Sequence, residues 1–240
     1  MRKAISFLLF IVLTIVLSTV AFFVSLFDRQ GRLIHGLARF WARIHLKMNG
    51  VTVDVSGLGN VTAPPYIFMC NHQSALDIYV LFVSLPVPFK WIAKRELFFI
   101  PFIGWAMKIA GYISLDRGNP REALKAIEGA AAKIRGGMNI IIFPEGTRSR
   151  DGVLLPFKAG GFSLALRSKV PIVPVGISGT SRLQPKGSFF PKQSGRTHVG
   201  IGKPIPTAAE SRSAKTRIML DVRRDIEQLM ETPRVDSNEG

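Results

Sequence analysis

The sequence predicts an α/β fold: a layered domain with a mostly parallel central sheet flanked by helices, preceded by an N-terminal membrane-associating helix pair. Three observations carry this expectation. Residues 4–27 run for 24 positions without a charge. From residue 51 onward, short β-rich runs alternate with helical periodicity, which is the pattern of parallel strands joined by crossover helices. With 47% apolar and 20% charged residues, the chain has the composition of a packed core and not of a disordered one.

The uncharged run, AISFLLFIVLTIVLSTVAFFVSLF, reaches roughly 36 Å as a helix, more than the apolar thickness of a bilayer. Arg2-Lys3 ahead of it resembles the start of a signal peptide. The run is long for such a peptide, however, and Ala21 is followed by more Phe, Val and Leu, which favours a retained helix over 4–27. Next, Leu33, Ile34, Leu37, Phe40, Trp41, Ile44 and Met48 recur at helical spacing, with Arg32, His35, Arg39, Arg43 and Lys47 on the other side. That spacing predicts a basic amphipathic helix over 31–48 lying in the lipid interface; an ordinary core-facing helix is the competing reading. Two Lys or Arg precede the apolar run and five follow it closely, so the positive-inside rule puts the main domain on the cytoplasmic side of a cytoplasmic membrane. A single pass and a monotopic hairpin both remain open.

Strands are expected at 51–55, 66–70, 90–93, 112–115, 139–143, 172–178 and 197–201, and helices at 74–84, 101–110, 120–136, 159–168 and 208–231. The last helix shows Ile218, Val222, Ile226 and Leu229 on one face among balanced charges, the mark of a structural surface helix. The division that follows is a membrane anchor over 1–50, a main α/β domain over 51–231 and a polar tail over 232–240. The run Leu97-Phe98-Phe99-Ile100-Pro101-Phe102-Ile103-Gly104-Trp105 reads as the lining of an apolar tunnel, a bilayer-dipping segment or buried core.

Charge narrows the partners. The 32 Lys and Arg against 16 Asp and Glu give a formal charge of +16, which calls for something anionic. Nucleic acid is disfavoured, because RNA-binding signatures are missing and the N-terminus is apolar. A lone Cys70 excludes a disulfide scaffold, and histidines scattered at His35, His45, His72 and His198 exclude a zinc module; no metal is expected.

Two blocks stand where strands end, the usual seat of α/β chemistry. In Asn71-His72-Gln73-Ser74-Ala75-Leu76-Asp77, Ser74 and Asp77 fit a capping box, so one reading has Asp77 only satisfying orphan amides at a helix start. The other has His72 in the turn before the helix, with Asp77 folding back to fix its tautomer. A spacing of five would not bring the two together on one continuous helix face. Imidazole ordinarily titrates near neutrality and suits deprotonation of an alcohol. Cys70 beside it is a thiol nucleophile or, more commonly for a Cys ending an apolar strand, a small buried residue. In Phe143-Pro144-Glu145-Gly146-Thr147-Arg148-Ser149, the glycine, hydroxyl and guanidinium make an anion cradle, against a plain charged turn as the alternative. Residues 140–200 carry nine Lys or Arg and two acidic residues, and Gly111-Tyr112-Ile113-Ser114-Leu115-Asp116-Arg117 adds a further strand ending in an Arg.

These blocks together resemble the glycerolipid acyltransferase superfamily, and within it the 1-acyl-sn-glycerol-3-phosphate (lysophosphatidic acid) acyltransferase type. Asn71, His72 and Asp77 match its N-H-x-x-x-x-D, and residues 143–149 match F-P-E-G-T-R-S. Gly111, Ile113, Asp116 and Arg117 match G-x-I-x-x-D-R, with Ser114 where the pattern carries an apolar residue. Val170-Pro171-Ile172-Val173-Pro174-Val175 matches a fourth block. In chain order the four blocks cover about residues 66–178.

The resemblance implies transfer of a fatty acyl group from acyl-CoA or acyl-carrier protein, as co-substrate and without a further cofactor, to the sn-2 hydroxyl of lysophosphatidic acid. Phosphatidic acid would be formed with no covalent acyl-enzyme. It implies His72 as general base and Asp77 as its orienting carboxylate, with Arg117, Glu145, Gly146, Thr147 and Arg148 holding the glycerol phosphate. Lys94 and Lys158, beside the matched blocks, are further candidates for the same anion. Membrane lipids are the implied partners. Another lysolipid or glycerol 3-phosphate is the alternative acceptor, and a noncatalytic basic membrane-binding protein is the alternative from a different class.

Overall fold

The computed structural model describes residues 2–28, 30–115, 120–207 and 212–231. Expectations placed on Asp116, Arg117 and the 232–240 tail fall outside these residues. Helix α1 (Arg2–Ser25) takes up the uncharged run, and its segment Phe7–Ser25 is long and apolar enough to cross a membrane. The chain then reverses at Gly31, whose φ of 67° lies in the left-handed region that glycine adopts without strain. Asp28 accepts hydrogen bonds from the amides of Arg32 (3.1 Å) and Ile34 (2.9 Å), which satisfies donors at the start of α2 (Arg32–Met48).

α2 corrects the amphipathic reading. It packs on α1 and on α3 (Leu76–Ser84), and its inward side is Ile34, His35, Ala42, His45 and Leu46. His35, expected on the polar side, is therefore buried. Arg39 donates from Nε to the Phe82 carbonyl (3.0 Å) and from its terminal nitrogen to the Leu85 carbonyl, so it caps the end of α3, where a cation complements the helix dipole. Leu33 and Phe40 remain exposed on the outer edge. One side of the helix belongs to the core, as the core-facing reading expected, and an apolar edge faces outward.

Seven strands form one sheet in the order β1-β7-β6-β2-β5-β3-β4. They are β1 (Val51–Ser56), β2 (Ile67–Cys70), β3 (Lys90–Lys94), β4 (Ile113–Leu115), β5 (Ile140–Ile142), β6 (Ile172–Ser178) and β7 (Gly195–Ile201). Among the described strand pairs only β6–β7 is antiparallel. All seven coincide with expected runs to within two residues. β2 and β5 are buried throughout, as strands covered on both faces must be.

One face of the sheet carries α2 and α3, whose Ala42, Leu46, Leu76, Val80 and Leu81 share a core with Phe68, Val173 and Val175. The other carries α5 (Pro120–Arg135), α6 (Ala159–Ser168) and α8 (Arg212–Glu231), around Ile134, Ile140, Phe162, Ile172, Val222 and Ile226. α8 sits so close to β6 that a Cβ on Gly176 would lie 2.5 Å from the Leu229 Cβ. The short α4 (Ile103–Ile109) packs on α1, and a four-residue α7 (Thr180–Leu183), too short to leave a periodic signal, follows β6. In the run 97–105 Phe98 and Gly104 are buried, whereas Leu97, Phe99, Ile100 and Trp105 are exposed. That departs from the buried-core reading and leaves an apolar surface.

Candidate active site

β2, β5 and β6 are parallel neighbours, so their carboxyl ends open on the same edge of the sheet. The site is built there. After Cys70 the buried Asn71 side chain exchanges two bonds with the backbone of Ile177: it donates to the carbonyl (2.8 Å) and accepts from the amide (2.7 Å). This clamps the exit of β2 to β6. Gln73 donates to the same carbonyl at 3.0 Å.

His72 stands in the turn before α3, as the spacing argument required, and its Nδ1 lies 2.8 Å from Asp77 Oδ2. The same carboxylate oxygen accepts the amides of Gln73 (2.7 Å) and Ser74 (2.8 Å). The two readings of Asp77 thus coexist, since one oxygen braces the turn and receives the ring. Because a carboxylate only accepts, Nδ1 of the neutral ring carries the proton and Nε2 keeps its lone pair. The ring is stacked on Phe143, with centroids 3.9 Å apart and planes 8° apart, and Trp91 stacks behind Phe143 at 5.6 Å. The His72 side chain keeps 16% of its surface exposed, while Asp77 keeps none.

Phe143 to Gly146 form a tight turn closed by the Gly146 amide on the Phe143 carbonyl (3.0 Å). Pro144 occupies its second position, and Gly146 has a φ of 74° that suits glycine. The structure places Glu145 facing inward. Expected among head-group contacts, it is 2% exposed, and both its oxygens are engaged by backbone: Oε1 accepts the His72 amide (2.6 Å) and Oε2 the Leu155 amide (2.8 Å). Burial pushes its carboxyl above the ordinary range, opposed by those two hydrogen bonds. A carboxylate also repels a phosphate, so Glu145 serves as a brace between the two motif turns. A bond from the Ser149 amide to the His72 carbonyl (2.8 Å) adds a second tie.

Gly146, Thr147 and Arg148 lie on the outer side of this turn, with Thr147 exposed and Arg148 half-buried. Lys186, which sequence reasoning missed, reaches in from the loop after α7: its Nζ donates to the Arg148 carbonyl (2.6 Å) and the Thr147 hydroxyl (3.3 Å). Its only sequence signal is membership of the cationic stretch. Lys94, at the end of β3, is exposed and paired with Glu96 at 2.8 Å. Lys158 is the N-cap residue just before α6, and its amide donates to the Pro144 carbonyl (2.8 Å). Arg117 belongs to the undescribed 116–119 segment. Ser114, the departure from the G-x-I-x-x-D-R block, faces outward on edge strand β4. With Arg95, Phe98, Phe99, Lys108 and Tyr112 it lines an open cleft of about 340 Å³. Cys70 is wholly buried and its thiol is pushed well up by burial, which removes it as a nucleophile. Among the described residues no cluster of His, Cys, Asp and Glu has the makings of a metal site.

Fold and site together define an α/β protein with a histidine–carboxylate pair at the shared edge of parallel strands, beside a cationic turn. The chain belongs to the Acyltransferase family, whose model matches residues 52–178. It is 41% identical over 198 residues to the 1-acyl-sn-glycerol-3-phosphate acyltransferase BAT2, chloroplastic, of Brassica napus, covering 81% of this chain and 57% of that protein. To the 1-acyl-sn-glycerol-3-phosphate acyltransferase of Saccharomyces cerevisiae it is 40% identical over 174 residues, 71% of this chain and 57% of that one. The chain therefore spans less than two thirds of the length of these curated relatives. The crystal structure of the 1-acyl-sn-glycerophosphate (LPA) acyltransferase PlsC from Thermotoga maritima superposes with a TM-score of 0.78 at 27% identity, covering 98% of this chain and 100% of that one.

Proposed function

We propose that this chain transfers a fatty acyl group from a thioester donor to the sn-2 hydroxyl of 1-acyl-sn-glycerol 3-phosphate, giving phosphatidic acid. The observation that carries the reading is the 2.8 Å contact between His72 Nδ1 and the buried Asp77, with the His72 amide bonded to Glu145 of the 145–148 segment. His72 Nε2 takes the hydroxyl proton as the oxygen attacks the thioester carbonyl. Asp77 holds the ring and offsets the charge that develops on it, and the face of Phe143 lies against that charge. Collapse of the tetrahedral intermediate breaks the carbon–sulfur bond, and the departing thiolate recovers the proton from the imidazolium. The products are the ester and a free thiol. The thioester supplies the activation, so no further cofactor is required. Arg148 and Lys186, with Arg117 as the motif resemblance implies, offer the cations for the phosphomonoester. Acyl-CoA and acyl-carrier protein both meet the donor requirement.

The same reading places the chain on a membrane, with its main domain on the cytoplasmic side. Helix α1 packs along α2 through Trp41 Nε1, which donates to Thr14 Oγ1 (3.0 Å), and through Phe10 against Trp41 and His45. A crossing α1 would drag the exposed Arg43 and Lys47 of α2 into the bilayer at a cost of several kcal/mol, on the order of 3 each. A monotopic seat avoids this: α1 and the Leu33–Phe40 edge of α2 sink their outer apolar faces into one leaflet.

The test uses the purified full chain with labelled acyl-CoA and acyl-carrier protein against lysophosphatidic acid, glycerol 3-phosphate and a neutral lysolipid. Wild type is expected to acylate lysophosphatidic acid best. His72→Ala is expected to lose transfer while still floating with vesicles. A fully active His72→Ala variant, or wild type inert with both donors, overturns the proposal.

A further inference from the structure

The loop between α7 and β7 contains a feature that the chemistry above does not use. Phe189 is 90% exposed at its tip, and Phe190 beside it meets Phe7 of α1 edge-on, with ring centroids 5.0 Å apart and planes at 82°. Phe7 belongs to the outward apolar face of α1 together with Leu8, Leu9 and Val12, so the loop continues that face. Lys186 and Lys192 flank the two phenylalanines.

The tip is also held from within. The Ser188 amide donates to the Pro185 carbonyl (3.0 Å), Gln184 Nε2 to the Ser188 carbonyl (3.0 Å), and the Lys192 amide to the Leu183 carbonyl (2.7 Å). A large apolar ring pushed into water on a braced loop, between two cations and against an apolar helix, matches a surface that is apolar inside and anionic at its rim. A bilayer containing anionic lipids has that profile.

We infer that residues 185–192 are a second membrane-docking element, which seats Phe189 among the acyl chains beside α1 and sets Lys186 and Lys192 at the level of the anionic head groups. This rests on the membrane-bound reading proposed above. Through its bonds to Thr147 and Arg148, Lys186 makes the loop a mechanical link between the lipid surface and the turn beside His72. The lip of the site, and not the N-terminal helices alone, then touches lipid where an acceptor leaves the leaflet.

Cys70 is fully buried, so a thiol-reactive fluorophore on Phe189→Cys reports one position. Leu220→Cys, exposed on α8 and on the opposite layer, is the control. Both full-length variants are reconstituted into phosphatidylcholine–phosphatidylglycerol vesicles. Position 189 is expected to be quenched by lipids carrying a nitroxide on the acyl chain and shielded from aqueous iodide, and position 220 to show the reverse. Equal iodide quenching at both positions overturns the inference, as does shielding at 189 that appears only on adding acyl-carrier protein. Wild-type acyl transfer in the same vesicles is scored separately, so failure of the loop assignment is distinguishable from failure of the proposed reaction. As a second reading, Phe189→Ser is expected to raise KM severalfold for vesicle-borne acceptor and leave kcat unchanged with a short-chain acceptor free in solution. A change in kcat without one in KM counts against the inference.

Discussion

At the scale of single residues, the charged groups of the Glu145–Arg148 turn divide into one that faces inward and one that faces outward. Glu145 joins the His72 and Leu155 amides, a task that needs two acceptors. In Glu145→Gln one of those buried amides meets an NH2 group, which costs about 1–3 kcal/mol. The variant is therefore expected to melt several degrees lower and to lose kcat with every acceptor, because His72 itself is displaced. Arg148→Ala removes a cation and no brace. It is expected to raise KM for phosphate-bearing acceptors by roughly ten- to a hundredfold, the worth of a charge-assisted bond, and to spare neutral ones. Acceptor-selective loss in Glu145→Gln, or equal loss for charged and neutral acceptors in Arg148→Ala, would contradict this division. The motif spelling alone does not separate the two residues, because adjacent letters do not reveal which carboxylate oxygen finds a backbone amide from another strand.

At the scale of elements, strands were legible and helix faces were less so. A strand buried on both sides is read from a short apolar run such as Ile140–Ile142, and the His72-to-Asp77 spacing demanded the turn that is found. α2 was harder, because a histidine counts as polar in a periodicity argument while its ring packs as an aromatic. His45 lies between Phe10 (4.6 Å) and Tyr79 (4.0 Å, stacked), and burial lowers its pKa from 6.5 to about 4. The sign follows from linkage. Between pH 6.5 and about 4 the unfolded chain binds the proton and the folded chain does not, so stability is full above the upper limit and falls as pH drops. The loss is on the order of 2–3 kcal/mol across that window. His45→Phe keeps the stacking and removes the titration. Thermal melting in detergent is expected to be less steeply dependent on pH over this range than in wild type, and identical slopes would refute a buried neutral His45.

At the scale of the whole molecule, net charge and apolar surface act together. Composition disclosed both, but not their arrangement: Lys186 and Phe190 lie beyond the four motif blocks, and only the return of the chain after β6 brings the first to the Thr147–Arg148 turn and the second to α1. A charge of +16 attracts an anionic leaflet over a distance set by salt, about 10 Å at 0.1 M and about 3 Å at 1 M. The apolar faces of α1 and α2 are not screened in this way. Raising ionic strength should therefore slow acyl transfer on vesicles rich in anionic lipid severalfold, by reducing the amount of chain at the surface. In neutral detergent micelles, with the same acceptor and donor, the loss should be smaller, because on the proposed reading only contacts between Arg148 and the substrates' own phosphates are screened there. Initial rates in the two media across a salt series, with bound protein measured by flotation, isolate the surface term. Parallel decline in both would mean that the charge serves the substrates alone and that apolar insertion by itself holds the chain at the membrane.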